Sequence, residues 1–209
     1  MKNTLLVLTI LLSSFLFSQK ATIKQGPEFK SDDGKFDSYI SNDANGIYVL
    51  RYKQKATTVA YFIQKIDPKT LLPVYTTPYE GNTSQMYLVG DKFLAFSSTY
   101  DKKEQIKYFL LNEYDVKTGK KIGEQKQISA LKTDVWGVNG RNFYVTFSPN
   151  KSKMAVINEF KWPKKASEVD ATIYETNGYK KLGVKTIIDG YKGSTISSSN
   201  YRINNNGNF

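Results

Sequence analysis

The chain contains neither cysteine nor histidine in its 209 residues. Without cysteine it can form no disulfide or thiol-based site, and without histidine it has no imidazole to act as general base or metal ligand. Serine–histidine and cysteine–histidine hydrolases are therefore excluded. Phosphate-binding loops and dinucleotide fingerprints are also missing from the sequence, so no cofactor is expected.

Long apolar runs are scarce, and the clearest one lies at the N-terminus, from Leu5 to Phe17 after Lys2. Its 13 residues match the core of a signal peptide and are too few to span a bilayer. We therefore predict a signal peptide over residues 1–18 and an N-terminal extension over 19–35. The mature chain is expected to be exported, periplasmic or extracellular, with no integral membrane segment after signal removal.

The formal net charge is +11, but the lysines are scattered and form no long basic block. The densest short groups fall in turn-like segments, which is typical of solubilising loop charge. No run combines basic and aromatic residues as nucleic-acid readers do. Nucleic acid is therefore not an expected partner.

The body of the chain repeats one pattern, in which a short strand, a turn rich in Gly, Asn or Asp, and an apolar strand follow one another. These are hairpin signals. If Ile47, Phe93, Phe143 and Phe209 are equivalent, the units are spaced by 46, 50 and 66 residues. The second half of each unit ends in an acidic residue followed by a turn, at Asp67, Asp115 and Glu175. A carboxylate there can accept backbone N–H bonds, so we interpret these three residues as turn formers rather than catalytic groups.

A period near 45–50 residues with about four β segments matches one blade of a β-propeller. The long third unit then needs an insertion, which we place at about 161–170. Trp162 lies within it and is the one residue we single out as a possible ligand contact, since long insertions on such folds often carry function.

Two segments carry a family resemblance. Phe147 to Val156 resembles the Ser-Pro-Asp-Gly-Lys turn and following strand of Tol-type and WD-like propellers, and Tyr114 to Lys120 resembles their Asp-x-x-Thr-Gly-Lys turn. The resemblance covers roughly residues 36–209 and implies an all-β fold of consecutive four-stranded antiparallel blades. The N-terminus and the Lys-, Asn- and Tyr-rich body are also similar to exported proteins of Bacteroidetes-type bacteria.

Counting blades gives about three units plus one hairpin, whereas propellers close with about 4–8 blades. We therefore expect the sequence to be the N-terminal part of a larger protein with an incomplete propeller. If the chain is complete, it should self-associate or fold as a twisted open stack.

The function expected from these features is that of an exported binding module, not an enzyme, with a protein or glycan partner. The alternative is the non-catalytic propeller domain of an exported multidomain peptidase or hydrolase whose catalytic domain lies beyond residue 209. A hydrolase that uses a pair of carboxylates is disfavoured, because the candidate acids fall in polar, turn-like sequence. Those acids are Asp32, Asp33, Asp37, Glu80, Asp91, Asp101 and Glu104. Asp32-Asp33-Gly34 also lacks the alternating ligands of a calcium loop, so no metal site is expected.

Overall fold

A computed structural model of the chain describes residues 26, 34–80, 85–132, 141–160, 166–192 and 201–209. Within these ranges the regular structure consists of β-strands, and none of the residues is helical. A helix long and apolar enough to cross a membrane is thus not found in the described part of the chain. The expected all-β class is confirmed.

The strands form three four-stranded antiparallel sheets, each of which is a simple meander in chain order. The first sheet contains β1 (Lys35–Asp43), β2 (Gly46–Lys55), β3 (Thr58–Ile66) and β4 (Pro73–Tyr79). The second contains β5 (Gln85–Val89), β6 (Lys92–Asp101), β7 (Ile106–Asp115) and β8 (Lys121–Lys132). The third contains β9 (Arg141–Phe147), β10 (Lys153–Phe160), β11 (Ala166–Glu175) and β12 (Lys181–Lys192).

The turn between the third and fourth strands is the same in all three sheets. Its acidic residue donates a backbone N–H bond to the carbonyl five residues later, at 2.8–2.9 Å in each sheet. The Asp67 carboxylate accepts the backbone N–H groups of Lys69 and Thr70, both at 2.8 Å. Asp115 accepts both the N–H and the hydroxyl of Thr118, again at 2.8 Å. The turn-forming role predicted for these two aspartates is confirmed.

The repeat alignment drawn from the sequence is wrong in its third unit. Phe143 lies in β9, the first strand of its sheet, whereas Phe93 lies in β6, the second. Met154, at the start of β10, takes the place of Phe93, and a shared backbone bond supports this assignment. The backbone N–H of the residue after the acidic turn residue donates to the carbonyl of the residue just before the second strand of the sheet. This bond runs from Val116 to Asp91 in the second sheet and from Thr176 to Ser152 in the third, at 3.0 Å in both.

The three sheets stack face to face in chain order through apolar clusters. Tyr48, Leu50 and Ile63 of the first sheet pack against Met86, Leu88 and Phe93 of the second. Phe96, Phe109 and Leu111 on the other face of the second sheet pack against Phe143, Val145 and Met154 of the third. Tyr201, Ile203 and Phe209 cover the far face of the third sheet. Because each fully buried side chain of this size contributes about 1.5–3 kcal/mol, these interfaces are the main source of stability.

Two segments that were assigned from the sequence lie wholly or partly outside the described residues. The predicted signal peptide lies outside them, as does the extension apart from Gly26, Gly34 and Lys35. Of the insertion expected at about 161–170, residues 166–170 form the start of β11, and residues 168–170 pair with β10. Residues 161–165, which include Trp162, lie outside the described residues.

Candidate functional site

Between the second and third sheets lies an ionic cluster around one buried carboxylate, which the sequence analysis did not identify. Glu113 lies on the same face of β7 as Leu111 and Phe109, which precede it by two and four residues. Its side chain therefore points toward the third sheet, and it is only 5% exposed. Its carboxylate accepts hydrogen bonds from the Lys92 ammonium at 3.0 Å, from the Lys126 ammonium and from the Tyr179 hydroxyl at 2.9 Å. We call Lys92, Glu113, Lys126 and Tyr179 the Glu113 cluster.

The protonation states of this cluster follow from its contacts. Burial on its own would raise the pKa of Glu113, but the hydrogen bonds from Lys126, Lys92 and Tyr179 outweigh it and bring the pKa below its ordinary value. Burial also raises the pKa of the Tyr179 hydroxyl, and the bond to Glu113 raises it further. The carboxylate is therefore ionised and the phenol is a hydrogen-bond donor at neutral pH.

Tyr179 reaches Glu113 from an uncommon backbone conformation. Its φ is 57°, in the left-handed region that bulky residues rarely adopt. Leu71 and Gly119 hold the same place in the other two sheets, with φ of 59° and 71°, so the repeated turn itself requires this conformation. The Lys126 ammonium lies over the Tyr179 ring, 4.6 Å from its centroid. This cation–π contact fixes the ring at the mouth of the cluster.

An open cleft lies along this interface. One cavity, of about 570 Å³, is bounded on one side by residues 126–130 of β8 and on the other by Thr172, Tyr174, Gly178, Tyr179 and Lys181. A second cavity, of about 530 Å³, contains the Glu113 cluster and is also lined by Lys151 and Asp91. The two share Lys126, Gly178 and Tyr179. We call the combined space the inter-sheet cleft.

One of the hydrogen bonds between the two walls of the cleft lies at a β-bulge in β8. The pairing of β7 with β8 passes from Phe109–Ser129 to Leu110–Gln127, so Ile128 is the extra residue of a β-bulge. The Tyr174 hydroxyl donates to the Ile128 carbonyl at 2.9 Å. A side chain of the third sheet therefore supplies a hydrogen-bond donor to a backbone carbonyl at the point where the bulge disturbs the β-ladder of the second sheet.

Apart from Asp101 and Glu104, which share one turn, the described acidic residues that were considered from the sequence lie on different elements. Asp101 accepts the N–H groups of Lys103 and Glu104 in a turn, and Glu80 pairs with Lys121 at 2.6 Å. Asp91 lines the cleft. Asp32 and Asp33 lie outside the described ranges, and within those ranges no group of three or more acidic side chains could hold a metal ion. The polar groups of the cleft form ion pairs and hydrogen bonds with one another.

Comparison with known proteins gives no family. No family model matches the chain, and no curated protein matches it. One similar solved structure is described as "Crystal structure of the eukaryotic initiation factor". The match covers 73% of this chain and 44% of that one, with 10% sequence identity and a TM-score of 0.32. The chain thus spans less than half the length of that structure, and a likeness of this size carries no inference about fold or function.

Proposed function

We propose that this chain is an exported, non-catalytic interaction module of β-propeller type, and that the inter-sheet cleft is its binding site. The propeller assignment draws support from the three meander sheets, which stack face to face like successive blades. The segment 201–209 supports it too, because it packs on the third sheet with a turn at Asn205 and Asn206, as an opening hairpin would.

The observation that carries the binding role is the form of the cleft. It is a concave space with a buried floor, made of Thr172 and Tyr174, and exposed cations at its mouth, Lys126 and Lys181. Binding sites generally combine an apolar, preformed concavity with a few fixed polar groups. Here the Glu113 cluster supplies the fixed groups, and Ile128 and Ala130 supply apolar wall.

Site-specific photocrosslinking in the native host tests this proposal. Gln127, which lines the cleft and is exposed, is replaced by p-benzoylphenylalanine in the full chain. The matched control carries the same group at Lys102, in the exposed turn between β6 and β7. We expect discrete adducts on irradiation from position 127 and none of the same mass from position 102. No adduct at 127, or the same adducts at both positions, would overturn the binding role.

Export is tested separately by fractionating the same cells and measuring the intact mass of the protein. A mature species that starts after Ser18 in the envelope or medium is the expected result. A full-length species that retains residue 1 and stays in the cytosol contradicts export without bearing on the cleft.

A further inference from the structure

The wall of the inter-sheet cleft formed by β8 is a strand edge. β8 lies at the end of its sheet and pairs with β7 along one side. Five consecutive residues, 126–130, line the larger cavity. A regular strand points successive side chains to opposite faces, but the bulge at Ile128 interrupts this alternation, so the side next to the cavity is the free side of an end strand and includes the bulge. The cleft therefore exposes the outer edge of β8 to a ligand.

This edge lacks a protection that another outer strand has. β4, the last strand of the first sheet, carries Pro73 and Pro78, which cannot donate to a further strand and so discourage pairing. The sequence of β8, from Lys121 to Lys132, contains no proline. Proline therefore does not block the addition of a strand at β8 as it does at β4.

The side chains around this edge define what such a chain would carry. The residues lining the larger cavity include two lysines, Lys126 and Lys181, and none of those described there is acidic. Val184 pairs with Thr172 on the side of β12 that faces the second sheet, and Ile188 follows on the same side. They are 52% and 67% exposed. Cations in the cleft and exposed aliphatic side chains on the same face of the third sheet favour a ligand that is acidic and apolar in alternation.

We propose that the edge of β8 binds an extended, acidic peptide segment of a partner protein as an added strand. Main-chain bonds to β8 would supply affinity, as in other cases of strand addition. Carboxylates of the peptide would pair with Lys126 and Lys181, and its apolar side chains would cover Val184 and Ile188. This inference rests on the proposed function, since it names the ligand class of the same cleft.

Fluorescence anisotropy with synthetic peptides on the full chain tests the inference. The probe is a fluorescein-labelled peptide with four Glu-Val repeats. Its comparisons are a Lys-Val peptide of equal length, the Glu-Val peptide N-methylated at alternate residues, and a galacturonic acid tetramer as competitor. We expect saturable binding of the first peptide that weakens with salt, and at least tenfold weaker binding of the lysine and N-methylated peptides.

The protein variant for this test is Lys181→Glu, because Lys126 also neutralises Glu113 and its reversal could impair folding. Lys102→Glu is the matched control, with the same change of charge away from the cleft. Lys181→Glu should weaken binding of the Glu-Val peptide about tenfold, and Lys102→Glu should leave it unchanged.

Three results would overturn the peptide assignment: no binding of the Glu-Val peptide, equal binding of its N-methylated form, or equal competition by the galacturonate tetramer. The last two would indicate an anion site that does not use strand pairing. If position 127 still yields a discrete photoadduct, the binding role of the cleft stands and only the ligand class has failed.

Discussion

Tyr179 occupies in the third sheet the turn position that Gly119 occupies in the second, and both have a left-handed backbone, with φ of 57° and 71°. The surroundings explain the different residues. A Cβ on Gly119 would lie 2.6 Å from the Tyr75 ring and 2.8 Å from the Thr77 hydroxyl, so only glycine fits against the first sheet. Tyr179 instead packs against the second sheet, where its hydroxyl donates to Glu113. The same turn position thus packs tightly against the first sheet when it belongs to the second sheet, and it supplies a residue of the Glu113 cluster when it belongs to the third.

Gly119→Ala should lower the free energy of unfolding by about 2 kcal/mol or more, because it combines left-handed strain of about 1 kcal/mol with a clash against Tyr75. Gly90→Ala is the control, since Gly90 has a similar φ of 62° but no atom within 4 Å of an added Cβ. The loss of unfolding free energy in Gly90→Ala should reflect the left-handed strain alone. Urea denaturation measures both, and equal losses would show that the approach of the Gly119 turn to Tyr75 is not a constraint.

Glu113→Gln should lower the free energy of unfolding by about 1–3 kcal/mol at pH 7, because it removes a buried carboxylate that satisfies two lysines and a phenol. The pKa of Glu113 is lowered in the folded state. Its contribution is therefore complete above its ordinary pKa of 4.5 and is lost as the pH falls through the folded value.

The difference in unfolding free energy between wild type and Glu113→Gln should accordingly shrink as the pH falls below 4.5. Urea titrations from pH 7 to about pH 3 give this difference directly. A difference that stays constant over the whole range would mean that the charge on Glu113 contributes nothing to the interface.

Tyr174→Phe removes the donor to the bulged Ile128 carbonyl and leaves the ring in place. We expect a loss of about 1–2 kcal/mol in unfolding free energy, since a carbonyl in the wall of the cleft loses its partner. Tyr108→Phe, which removes an exposed bond to Glu104, should change stability by less than about 0.5 kcal/mol. Similar losses in the two variants would count against a special role for the Tyr174 bond.

Phe109→Ala should lower the free energy of unfolding by about 3–5 kcal/mol. The Phe109 ring is stacked between Phe96 and Phe143, with centroid separations of 5.3 and 4.5 Å, so its removal leaves a cavity between the second and third sheets. Phe36→Ala, at a side chain that is 62% exposed, should be close to neutral. Thermal unfolding of both variants tests this, and a small loss for Phe109 would imply that the sheets close over the gap.

Local signals in the sequence were enough to predict the strands and turns but not the register of the third unit. The Asp67 and Asp115 turns were predicted correctly because a carboxylate that bonds to nearby N–H groups leaves a short-range pattern. Two turn-like segments, near Asn139 and Asn150, flank β9. Either could close the opening hairpin of the unit, and only the pairing of β9 with β10 shows that the second one does.

The candidate site could not be predicted, because its members are far apart in the chain. Lys92, Glu113 and Lys126 come together when the second sheet forms, and Tyr179 joins them only when the third sheet packs against it. One signal was nevertheless present in the sequence. Glu113 follows Phe109 and Leu111 at intervals of two residues, so the sequence places it on the same, apolar face of a strand. A charged residue on such a face indicates a buried charge with partners.

Serial stacking makes the three described sheets a nearly one-dimensional array, in which each sheet is coupled to the next in line. In such arrays stability is close to a sum of unit and nearest-neighbour terms, and unfolding need not be all-or-none. Among the three, the second sheet has a complete sheet against each of its faces, so its amide protons should exchange with solvent more slowly than those of a sheet covered on one face. The inter-sheet cleft has this sheet as one of its walls, so a bound partner would meet a surface there that is already ordered.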